Sequence, residues 1–273
     1  MQRREWLLAF VSGLLGSAAL GGCASVDATP SAAGRSALAP TGRLRVGFLA
    51  SPLYATRHPT SGELAGVAVD LGRELAARLG VPMEPVVHNG VATLMAGARP
   101  GSPGEWDVVL TGITAERAAT LDFSAPYLQI EWGYLVGAGA AVADAAAVDS
   151  IGVRVGIVER TFADAALPAR LARATLVRVG SIAALQALLD DGRADVVVAT
   201  KATLFAAARD RLGARVLDGT VLVEPVGMAV PKGRDAAASR YVSAFVEQAK
   251  AQGLVAAAIE RARLQGVSVA PLG

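Results

Sequence analysis

The side chains able to do covalent or metal chemistry are few, and the most distinctive is a thiol. Cys23 is the single cysteine of a 273-residue chain. It follows Leu20-Gly21-Gly22 at the end of an apolar run from Leu7 to Leu20, and Arg3 and Arg4 precede that run. A basic start, a short apolar core and small residues before a cleavage point make a secretory signal, since a membrane span would need about 20 apolar residues. Beyond Cys23 the chain has two histidines and no further cysteine, so no metal cluster of ordinary spacing is expected. It has no G-x-S-x-G elbow and no phosphate loop. Gly137-Ala138-Gly139 opens a dinucleotide-type pattern, but Val142 stands at its third glycine position. No cofactor is expected.

The elements that would position any site read as alternating strands and helices. Residues 24–41 are mostly Ser, Ala, Gly, Thr and Pro with almost no large apolar side chain, which reads as a flexible tether. Folded structure is expected to begin at Arg43 with the apolar strand Leu44 to Leu49. From Val69, Leu71, Leu75 and Leu79 recur at helical spacing, with Gly80 and Pro82 as stop signals. Further strands are read at 107–110, 153–158, 176–179, 194–199 and 226–230. A helix over 182–190 has Ser181 as its N-cap and Gly192 just past its end. Strands alternating with helices argue for α/β layers with mainly parallel sheets. The low-complexity stretch 137–149 reads as a connection between two lobes. The signal carries Arg3, Arg4 and Glu5, so its removal takes the net charge from +2 to about +1, which gives no footprint for nucleic acid. About 250 remaining residues suffice for two domains of roughly 100 to 150 each.

Two resemblances follow from these residues. Leu-Gly-Gly-Cys after the apolar run resembles the lipobox of bacterial lipoproteins. It implies a signal peptide over 1–22, acylation of Cys23 and a periplasmic domain tethered to a membrane through residues 23–41. The twin arginines before Trp6-Leu7 also resemble a twin-arginine export signal. Downstream, five segments resemble the amino-acid-binding family of bacterial periplasmic solute-binding proteins, the soluble components of ABC importers. They are Leu44-Arg45-Val46-Gly47; Gly62 to Leu71; Trp106 to Thr114 with Glu116-Arg117 and Asp122 to Tyr127; Gly192 to Val198; and Val226 to Gly233. The resemblance implies a two-lobed, type II periplasmic-binding fold in which two crossing strands form a hinge. Lobe 1 would span 42–133 plus 227–273 and lobe 2 would span 134–226. A monomer that closes on a small carboxylate-bearing solute and meets an ABC permease is implied.

Carried over residue by residue, the resemblance makes Arg117 the fork for the ligand carboxylate, a task suited to a guanidinium because its donors meet both oxygens. Thr111, Gly112 and Thr114 would supply donors beside it. Thr161, with Arg160, falls where the family places a threonine at a helix N-terminus, a natural anion site. Tyr54 lies where an aromatic often meets the ligand. The chain departs from the family where an acid usually receives the ligand ammonium, because Thr200 and Lys201 stand there. A Lys201 in the cleft would favour an acid without an amine or a dianion, whereas a solvent-facing one would leave amino acids possible, with Glu131 or Glu159 as acceptors. A periplasmic dehydratase resembling cyclohexadienyl dehydratase is an alternative on the same fold, with Glu159, Glu131 or His88 as the titrating group. A ligand-sensing role is a third.

Overall fold

A computed structural model describes residues 32–58, 60–102 and 104–273. The signal sequence, Cys23 and the first part of the expected tether lie outside these residues. The later tether residues do not bear out that expectation. Ala32–Leu38 is a helix packed on the helix Ala236–Ala251, with Leu38 fully buried and the Ala37 carbonyl accepting from Arg234. Alanine is the best helix former, and one buried leucine suffices to dock so short a segment.

The long strands are β1 (Leu44–Leu49), β2 (Met83–His88), β3 (Val108–Gly112), β4 (Leu128–Val136), β5 (Arg154–Val158), β6 (Thr175–Val179), β7 (Val196–Thr200) and β8 (Leu222–Pro231). They join in one mixed sheet in the order β2-β1-β3-β8-β4-β7-β5-β6. Parallel ladders run on both sides of its centre, β2-β1-β3 on one and β7-β5-β6 on the other. At the centre β4 and β8 lie antiparallel, from Leu128↔Val226 to Trp132↔Leu222. Each then changes partner. The far half of β8 pairs with β3, and the far half of β4 pairs with β7. The stretch 137–149 thus joins β4 to β5 within one half of the sheet, and β4 and β8 themselves make the passage that it was expected to make.

The two helices read from the sequence form where it places them. In Val67–Leu79 the buried Val67, Leu71, Leu75 and Leu79 recur every four residues, and Gly80 ends the helix at φ 66 while donating to Ala76 and Ala77 carbonyls. Ser181 accepts from the Ala184 N–H at the start of Ile182–Asp190. The core is closely packed. Trp106 is fully buried with its indole N–H on the Leu94 carbonyl at 2.8 Å, and a Cβ on Gly47 would lie 2.7 Å from its ring. Only a glycine lets the strand pass so close.

One ion-pair device appears in both halves of the sheet. Asp107, fully buried just before β3, accepts Arg45 Nε and Nη2 at 3.0 and 2.7 Å, the Arg45 N–H at 3.0 Å and Arg234 Nη2 at 2.9 Å. Asp195, just before β7, accepts Arg154 Nε and Nη2 at 3.1 and 2.7 Å and the Arg154 N–H at 2.8 Å. In each half a bidentate fork ties the first residues of one strand to the entrance of its parallel neighbour.

Candidate functional site

The carboxyl end of β3 turns directly into the helix Ala115–Ala118. Thr114 caps it by accepting from the Arg117 N–H at 3.2 Å, and the short turn folds Arg117 back over the strand end. Arg117 Nη1 then donates to Thr111 Oγ1 at 3.1 Å and to the Gly112 carbonyl at 2.9 Å. Among the described residues neither Nη2 nor Nε has a hydrogen-bond partner, so the outer side of the fork is open to an acceptor. Arg117, Thr111, Gly112 and Thr114 are therefore one cluster.

Facing it across Gly112 is a carboxylate not singled out from the sequence. Glu224 on β8 is 6% exposed, and its Oε1 fills the space that a Cβ on residue 112 would need. Arg117 Nη1 is 3.1 Å from that same point. Trp132 Nε1 donates to Glu224 Oε2 at 2.9 Å; the two are diagonal neighbours on one face of the β4-β8 ribbon. Burial pushes the Glu224 carboxyl up to about 6, against the pull of the Trp132 N–H and the Arg117 charge. Tyr54 closes the cluster. Its hydroxyl is buried near Glu224, Arg117 and the Gly112 backbone, and desolvation drives it well above its ordinary value. The inward register Leu222, Glu224, Val226 was the available signal for Glu224, an acid where the alternation demands an apolar residue.

The other expected residues lie elsewhere or are otherwise engaged. Thr161 caps the helix Phe162–Ala166, donating to the Val158 carbonyl at 2.8 Å and accepting from the Asp164 N–H at 3.2 Å. The Phe162 ring is 6.5 Å from that of Trp132, so this helix start adjoins the same face of β4. Arg160 is exposed with φ at 59, its N–H on Asp164 at 2.9 Å. Thr200 caps Lys201–Arg209 and is bonded to Thr203. Lys201 is on the opposite face of β4 from Trp132, paired with Glu131 at 2.5 Å and with Thr220 at 3.1 Å. The Lys201 ammonium and the Thr220 hydroxyl, both donating to it, hold Glu131 below the usual carboxylate range. Glu159 is exposed, and His88 is buried under Gly104, where desolvation lowers it below its ordinary value.

Two recesses open nearby. One, of about 610 Å³, is lined by Arg117 together with Arg99, Glu116 and Lys232. The other, of about 520 Å³, lies between Ala50–Pro52 after β1 and the helix Lys201–Arg209. No group of His, Cys, Asp and Glu able to hold a metal occurs among the described residues, and no described helix is long and apolar enough to cross a membrane.

Residues 44–262 match the family model of bacterial extracellular solute-binding proteins, family 3. Among solved structures, the ancestral amino acid-binding protein AncCDT-1, a precursor of cyclohexadienyl dehydratase, is 26% identical with a TM-score of 0.68, over 83% of this chain and 98% of that one. The solute receptor for L-cysteine of Neisseria gonorrhoeae is 23% identical with a TM-score of 0.71, over 88% and 100%. An amino acid ABC transporter substrate-binding protein from Streptococcus pneumoniae bound to L-arginine is 20% identical with a TM-score of 0.67, over 86% and 99%. At such identities the last two show likeness of fold alone. No curated protein matches the chain.

Proposed function

The chain belongs to the bacterial extracellular solute-binding proteins of family 3, and from that premise we propose that it is the binding component of an ABC importer for a small carboxylate-bearing solute, an amino acid or a close relative. The observation that carries this reading is the half-engaged fork of Arg117. Nη1 is fixed by Thr111 and Gly112, which orients the guanidinium, while its other donors are left for a ligand carboxylate. The site lies at the carboxyl ends of parallel strands, where open α/β sheets bind ligands. Two lobes, 42–133 plus 227–273 and 134–226, would close on the ligand by bending where β4 and β8 change partners. Thr161 would approach from the second lobe and Tyr54 from the first. Cleavage before Cys23 and its acylation would hold the domain on the periplasmic side of a membrane, within reach of the permease. The protein would act as a monomer.

Thermal unfolding against a panel of amino acids, keto acids, dicarboxylates and prephenate tests the reading. A ligand that binds only the folded state, at about a hundred times its dissociation constant, adds roughly 2.7 kcal/mol and raises the melting point. Stabilisation by a carboxylate-bearing compound that is recovered unchanged supports capture. No stabilisation across the panel overturns it, and consumption of prephenate would make the protein a dehydratase instead.

A further inference from the structure

The recess of about 520 Å³ is walled by both halves of the sheet. One wall is Ala50–Pro52, directly after β1, together with residues 262–265 at the end of the helix Leu254–Ala262. That helix packs on Val67–Leu79, and the chain beyond it, Val267–Val269, pairs with Leu128–Ile130 of β4. The opposite wall is the helix Lys201–Arg209 with Ile182 and Gln186 of the helix Ile182–Asp190. A Cβ on Gly133 would lie 3.4 Å from Leu204 and from Lys201, so this wall stands on the face of β4 opposite Trp132. Neither Arg117, Thr111, Tyr54, Thr161 nor Glu224 lines the recess, which is therefore separate from the Arg117 cluster.

We propose that this recess is a binding site in its own right, for an organic anion with an apolar body, of the alkyl or aryl carboxylate kind. The proposal does not rest on carboxylate capture by Arg117.

The apolar part of the recess is Ile182, Phe205 and Leu264. Ile182 is 42% exposed, and Phe205 and Leu264 are each only half buried. Gathered around one hollow, they leave apolar surface that an occupant would take out of water, at roughly 25 cal/mol for each Å² covered. The charged part is of one sign, since Arg209 and Arg263 line the recess and no acid does.

These two guanidiniums are uncommitted. Arg209 makes one long bond, from Nε to the Phe205 carbonyl of its own helix at 3.4 Å, and the Arg263 side chain has no hydrogen-bond or ion-pair partner among the described residues. Two residues away from each, Arg211 and Arg261 do grip carboxylates, Asp190 at 2.7 Å and Asp70 at 2.8 Å. A guanidinium with free donors matches a carboxylate, whereas a cationic ligand would be repelled and a bare inorganic anion would leave the apolar wall wet. Gln186 and Gln265, also without side-chain partners among the described residues, add amide donors. The volume lies within the range of small-molecule pockets, roughly 300 to 1,000 Å³.

The experiment is calorimetric titration of the protein with hexanoate and with phenylacetate, beside acetate as the charge without the body. Both probes are expected to bind roughly tenfold or more tightly than acetate. The double variant R209Q/R263Q should weaken them by roughly tenfold or more. So should I182E, which sets a negative charge in the apolar wall at a helix start that tolerates an acid. All three positions are exposed, so both variants should melt as the parent does. Arg117→Ala should bind hexanoate and phenylacetate unchanged. Loss of the probes in Arg117→Ala places them at the Arg117 fork and overturns the proposal. Undiminished binding by both recess variants, or no binding of either probe to the parent protein, overturns it as well.

Discussion

Lys201 and Glu131 form a 2.5 Å ion pair on the face of β4 opposite Trp132, and the Thr220 hydroxyl bonds to both. The lysine stem packs over Gly133 and Gly266, so the pair is braced from two sides. Lys201→Met should leave ligand preference unchanged and cost about 1 kcal/mol or less, because the Glu131 side chain is 35% exposed and solvent weakens the attraction. Melting curves and a competition binding series read the two effects separately. A shift in preference toward amino acids would return Lys201 to the cleft.

Arg117→Ala is expected to weaken binding of any carboxylate-bearing ligand by roughly 2 to 5 kcal/mol while the fold keeps nearly all its stability. Arg117→Lys should recover little, since a single ammonium cannot hold Thr111 and Gly112 with one nitrogen and present a planar fork with the others. Calorimetry with the best compound of the panel, beside a melting curve, checks both variants. Affinity equal to the parent protein would remove Arg117 from the site.

The twin forks should differ in what they contribute. Asp107 is fully buried and holds Arg45 and Arg234, whereas the side chains of Asp195 and Arg154 are 34% and 42% exposed. Asp107→Ala strands two arginines and should cost roughly 3 to 5 kcal/mol, a fall in melting temperature on the order of 10 °C. Asp195→Ala should cost about 1 kcal/mol or less. Denaturant titration of the two variants decides, and equal losses would mean that burial does not set the difference.

Glu224 gives the unliganded protein a signed dependence on pH. Its carboxyl stands at about 6 when folded, against 4.5 for a free one. The folded chain therefore holds that proton more firmly, and the contribution is full below 4.5 and lost as pH rises through 6. Relative to wild type, Glu224→Gln should be more stable by about 2 kcal/mol at pH 8, with the advantage gone near pH 4. Depressed carboxyls such as Asp195 and Glu131 act in the opposite sense at lower pH. An advantage that grows on acidification would contradict the buried, proton-holding state of Glu224.

The sequence made the strongly periodic elements legible. The helix Val67–Leu79 announces itself by leucines four apart and Gly80 beyond them, and β1 and β7 by continuous apolar runs. The less regular strands were hidden for physical reasons. β2 contains Pro85 and is only half buried, because it is an edge strand where a missing N–H costs little. β8 starts at Leu222 rather than Val226, since Glu224-Pro225 reads as a break until its ladder to β4 is seen. That same misreading concealed Glu224. Arg117, Thr111, Gly112 and Thr114 do lie together, as local motifs can show. The position of Lys201 depended on which face of β4 it met, and only the tertiary pairing gives that.

The centre of the sheet has a mechanical consequence. Where they lie together β4 and β8 form a two-stranded ribbon, hydrogen-bonded edge to edge from Leu128↔Val226 to Trp132↔Leu222. A ribbon of this kind flexes readily out of its own plane, but sliding one strand along the other would rupture its whole ladder. Displacement of one half of the sheet against the other is thereby steered toward a single swing, like a leaf on a piano hinge. The Trp132–Glu224 hydrogen bond crosses that ribbon on one face, so it ties the two strands together at the line about which the halves would turn.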